Sequence, residues 1–87
     1  MLSLRDCLDY CDLTDEEVEL FARHEQLPCD VAATIACGLV QTEDGVVQMD
    51  HCLADMLQEA LRAGEDAKTE HVFHVYVQFR TAHPLVH

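Results

Sequence analysis

His71 and His74 stand three residues apart, a spacing that on a helix turns two imidazoles toward one ion, and His24 with Glu25 sets a third imidazole beside a carboxylate. These four side chains are the candidate ligands for a divalent metal ion or a small cofactor. The larger patterns that would make such a site specific are missing. None of the six histidines has a glutamate three residues before it, so the paired Glu-x-x-His motifs of a di-iron bundle are absent. Zinc spacings and H-E-x-x-H are absent too. The acids from Asp12 to Glu19 lack the central glycine and terminal glutamate of a calcium loop. No G-x-S-x-G, phosphate-binding loop or dinucleotide glycine pattern occurs, so the expectation is a protein with no catalytic residues and, in its leading reading, no cofactor.

Five cysteines, Cys7, Cys11, Cys29, Cys37 and Cys52, cannot all pair within one chain, and none belongs to a C-x-x-C. Cys7 and Cys11 share a helical face with Leu4 and Leu8, which makes core thiols in a reducing compartment the expectation.

Charge excludes more than any motif proposes. Seventeen acids against five lysines and arginines give a formal charge of -12 on 87 residues, a field that opposes nucleic acid and anionic membranes alike. A partner with a basic surface remains. The first residues lack the basic and apolar regions of a secretory signal, and no apolar run reaches the ~20 residues of a membrane span. The expected setting is the cytoplasm. A chain this short has room for one core, so residues 1–87 form a single domain. An aliphatic, alanine-rich composition with three glycines suits helices, and the fold class expected is all-α, a compact bundle of about five helices.

The elements follow from periodicity. Leu4, Cys7, Leu8 and Cys11 make the first stripe, with Ser3 available as its N-cap and Asp6, Asp9 and Asp12 facing solvent. Thr14 and Glu17 form a capping box for a second helix, with Leu13 and Val18 placed to staple across it. Val18, Phe21 and Ala22 share a face with Glu25, which with His24 could line a small polar site under the Leu27-Pro28 break. Pro28 opens a third helix that is apolar nearly all round from Val31 to Val40, a pattern that predicts a central rod. Val31, Ile35, Leu39, Leu53 and Leu57 are therefore expected to be fully buried. Ala32, Ala33, Ala36 and Gly38 should admit a close neighbour.

Gln41 to Gly45 reads as a loop with Gly45 as its turn residue. The helix after it, about 18 residues from Val46, is expected to be the longest, with His51 solvated near Asp55 and Gly64 closing it.

Residues 71–79 alternate as a strand would, which would seek another chain's edge, but they also fit a helix from Asp66 to Ala82 with Val72, Val75, Tyr76, Phe79 and Ala82 in one stripe. In the helix, Phe73 and Val77 fall outside that stripe beside Arg80. These three residues are the candidate interface, and a second copy of the chain, as a homodimer, is the expected occupant.

Residues 6–17, with Ala22-Arg23-His24-Glu25-Gln26-Leu27-Pro28 and the alanines that follow, resemble a family of short, uncharacterised bacterial helical proteins. Members often carry a second histidine where Gln26 stands and an acid where Cys29 stands, departures that weaken a metal site at His24 and Glu25. The resemblance implies an all-α fold and no function. The leading expectation is thus a non-enzymatic, acidic interaction or regulatory module that self-associates. The alternative is a helical module that binds metal or a small cofactor through histidine and carboxylate.

Overall fold

A computed structural model describes residues 4–85, with side chains from Asp6 onward. It contains five helices: α1 (Leu4–Tyr10), α2 (Asp15–Glu25), α3 (Cys29–Leu39), α4 (Glu43–Ala63) and α5 (Asp66–Ala82). The all-α reading holds, and the helical reading of the last segment stands over the strand because no strand occurs among the described residues. Ser3 as the N-cap of α1, and the place of Leu4 in its stripe, lie outside what is described.

Local chemistry sets the boundaries. Thr14 Oγ1 accepts from the Glu17 N–H at 3.2 Å and Glu17 Oε1 accepts from the Thr14 N–H at 2.8 Å, which completes the capping box of α2. Gln26 ends α2 in the left-handed region at φ 58°. Gly64 ends α4 the same way at φ 71°, a conformation that costs glycine little. Pro28 stands one residue earlier than the first turn, as the N-cap of α3.

The molecule is a slab, 44 by 33 Å but only 17 Å in its thinnest direction, which leaves room for two helix layers at the usual 8–10 Å spacing. Helix α4, 21 residues and about 31 Å long, is the spine that α2, α3 and α5 all touch, while α1 lies on α3. Met49 and Leu53 of α4 are fully buried, together with Val72, Val75 and Phe79 of α5 and Leu20 and Phe21 of α2. At the far end, His83 Nε2 donates to the Cys11 carbonyl at 2.8 Å while its ring stacks on Phe79 at 4.8 Å.

Helix α3 corrects the sequence reading. It is not a central rod: Val31 and Ile35 are 43% and 42% exposed, Leu39 and Leu57 are half-buried, and of the five residues expected to be fully buried only Leu53 is. The buried face consists of Ala32, Ala33 and Ala36 instead. All-round hydrophobicity could not report this, because α3 is amphipathic in size and not in polarity. Its small side bears the neighbours, and its branched side is left over because none of the other four helices among the described residues covers it. Gly38 lies on that open side, with nothing near enough to make its missing side chain matter.

Gly45 is a second correction. It belongs to α4, not to a loop, where Thr42 caps the helix by accepting from the Gly45 N–H at 3.0 Å. A Cβ at this position would meet the backbone of Leu39, with the carbonyl oxygen only 1.8 Å away. The glycine is what lets the end of α3 rest on the first turn of α4.

Two stability tests follow. Leu53→Ala should cost about 2–5 kcal/mol and Ile35→Ala less than about 1 kcal/mol in urea unfolding, and equal losses would restore the central placement of α3. Gly45→Ala, though it adds a better helix former, should destabilise by about 2 kcal/mol or more, since backbone must move to admit the methyl group.

Candidate functional site

An open groove of about 670 Å³ lies between α1, α2 and α3. Its floor is apolar and comes from all three helices: Leu8 from α1, Val18 and Ala22 from α2, Ala33 from α3, and Leu27 from the link. The alanines give the groove its depth. Leucines at Ala22 and Ala33 would fill the same space with side chain. Along the rim stand Asp15, Glu19, Arg23, Gln26 and Cys29, and Arg23 donates to Glu19 at 3.0 Å. Sequence periodicity did not mark this feature, since it registers which residues are apolar and not how much volume they leave empty.

The candidate metal ligands are dispersed. His24 Nδ1 lies 3.6 Å from Glu25 Oε2, and its Nε2 lies 3.9 Å from Asp55 Oδ2, a polar contact that reaches across to α4. His71 Nδ1 is 3.7 Å from Glu16, and His74 Nε2 is 3.9 Å from Glu70. Each histidine of the pair on α5 thus faces its own carboxylate. Among the described residues no three histidine, cysteine or acidic side chains gather to hold one metal ion. His51 is solvated as expected, while Asp55, its neighbour one turn on, pairs with His24.

The candidate interface lies on the outer face of α5. Phe73 and Val77 are 51% and 45% exposed, one turn apart. Arg80 turns back toward the bundle, its Nε 3.6 Å from Asp50 Oδ1 and its guanidinium 5.7 Å over the Tyr76 ring, yet half of its side chain stays exposed. Asp50 Oδ1 is buried without a hydrogen bond, so this ion pair is its compensation.

The thiols are free. Cys11 and Cys52 are buried and Cys7 and Cys37 half-buried, which fits the core role, while Cys29 is exposed on the groove rim. Burial pushes Cys37 up to about 12, with the neighbouring Cys11 adding to the effect, and burial together with Glu25 and Asp55 pushes Cys52 up to about 12. Both are protonated near neutral pH and poor nucleophiles.

Among the described residues one acid is buried, and the sequence marked it as a capping partner but not as buried. Glu17 is 1% exposed in its capping box, and burial raises its carboxyl above the ordinary 4.5, opposed by the bonds to Thr14 and the charge of His83. A carboxyl raised on folding contributes stability that is full below its unfolded value and lost as pH rises through the folded one. Its contribution therefore declines above about pH 4.5. Glu17→Gln keeps an oxygen for the Thr14 N–H and cannot ionise. The stability of the natural chain minus that of Glu17→Gln should rise as pH falls from 7 toward 4.5, and a difference that is flat or falls would refute the desolvated acid.

No helix among the described residues is long and apolar enough to cross a membrane. The chain matches no protein-family model, no curated protein and no solved structure, so the likeness noted for its first half rests on those residues alone.

Proposed function

We propose that this protein is a non-enzymatic, acidic interaction module that self-associates through the outer face of α5. The observation that carries the reading is the exposed Phe73–Val77 pair, two large apolar side chains about half exposed and outside the buried core cluster. Sequence register favours a second copy as the occupant. In an antiparallel pairing of two α5 helices centred on Val75, Phe73 lies at the level of the other copy's Val77, and Glu70 at the level of its Arg80. A surface that complements itself in this way needs no other partner.

The contact is weak by its own arithmetic. Covering the exposed parts of Phe73 and Val77 on two copies removes about 300 Å² of apolar area, roughly 7 kcal/mol at ~25 cal/mol/Å². Association itself costs ~4–15 kcal/mol, so these two side chains leave at most about 3 kcal/mol, a dissociation constant of about 6 mM or weaker. Each copy also carries -12, so the two repel at long range and added salt strengthens the dimer. Sedimentation across concentration should show the mean mass rising toward twice the monomer value. Phe73→Asp should abolish the rise without changing the helical signal, and Phe73→Leu should keep most of it. A mass that stays monomeric at about 6 mM would overturn the reading.

A further inference from the structure

We propose that the groove between α1, α2 and α3 is a docking site for an amphipathic helix of a partner protein whose polar flanks are basic. This rests on the reading of the chain as an interaction module but not on the α5 contact, which uses a different face.

Three observations converge on this occupant. The groove is apolar along its floor, from Leu8 through Val18 and Ala22 to Leu27 and Ala33, the lining that receives a helix by its i, i+3, i+4 and i+7 side chains. It is also open to solvent, not enclosed. Small-molecule sites enclose ~70–90% of their ligand, which an open trough does not do, whereas a helix laid lengthwise buries one stripe and leaves its back in water. Charge then selects the kind of helix. Residues 4–39, which build all three walls, carry nine acids against two arginines, a formal charge of -7. On the rim itself Glu19 neutralises Arg23 at 3.0 Å, so no unopposed cation stands there to attract an acidic helix. Lysines and arginines flanking an apolar stripe would be drawn in by this field, and acids would be turned away.

The test uses the full chain, labelled for amide NMR, with three synthetic helical peptides of about four turns. One carries a leucine stripe flanked by lysines, one the same stripe flanked by glutamates, and one lysines around alanines in place of leucines. The lysine–leucine peptide should shift Val18, Ala22, Leu27 and Ala33 and bind at least about tenfold more tightly than either control. Raising salt from about 50 to 300 mM should weaken it severalfold. Glu19→Lys, at an exposed position, should weaken it about threefold or more and Glu19→Gln less, while Phe73→Asp should leave it unchanged.

Shifts centred on Phe73 and Val77, or along Val31 and Ile35, would overturn the assignment. So would equal binding of the glutamate peptide, or groove shifts that appear on concentrating the chain alone, which would make a second copy the occupant. If no peptide binds while the mass still rises with concentration, the groove proposal fails and the α5 reading survives. If peptide binds in the groove and the mass never rises, the reverse holds.

Discussion

The closeness of α3 to its neighbours is the constraint on which the other placements depend. Ala32, Ala33 and Ala36, between 0 and 1% exposed, present a face with almost no side chain, and Gly45 presents none at all to the Leu39 carbonyl. Where two helices meet on residues this small, backbone touches backbone and the separation can hardly vary. That contact fixes where α4 begins. With α4 fixed, α2 and α5 pack against it, and Met49 and Leu53 of α4 are buried along with Val72, Val75 and Phe79 of α5. The alanine face buries little area, so most of the hydrophobic stabilisation comes from the larger residues that it positions.

Acidity is accommodated by the same scaffold. Eight of the seventeen acids lie in the first turns of helices, among them Asp15, Glu16 and Glu17 of α2 and Glu43 and Asp44 of α4. There the unpaired backbone N–H groups and the helix dipole favour negative charge, which offsets part of the repulsion within so anionic a chain. The three acids that open α2 have a structural role before any role in recognition.

What the sequence could tell depended on whether polarity or volume decided the outcome. The capping box at Thr14 and Glu17 and the glycine end of α4 are written in hydrogen-bonding groups and turn chemistry, and both are legible, whereas the span of α5 matches one of the two readings that its pattern allowed. Within the helical reading, Phe73 and Val77 fall outside the stripe of α5. Where only size discriminates, the pattern is silent. Val31 and Ala32 are both apolar, yet one faces water and the other is fully buried, and Gly45 resembles a turn residue unless the Leu39 carbonyl is known to lie against it. The groove is invisible for a related reason: a cavity is volume that residues do not occupy. The histidines were legible as singles, but which carboxylate each one meets depends on how α2, α4 and α5 come together.

The bond from His83 to the Cys11 carbonyl spans 72 positions and sets the order of events when the chain folds. Most helix contacts join sequence neighbours, α2 with α3, α3 with α4 and α4 with α5, a local topology that allows assembly in microseconds to milliseconds. The clasp between the two ends must wait. The loop it closes spans most of the chain, and its entropy is offset only once the intervening helices have shortened the path. Formation of the clasp is therefore a late, low-φ event, and its loss is an early step in unfolding. Strengthening it would lengthen the lifetime of the folded state and leave the folding rate almost unchanged.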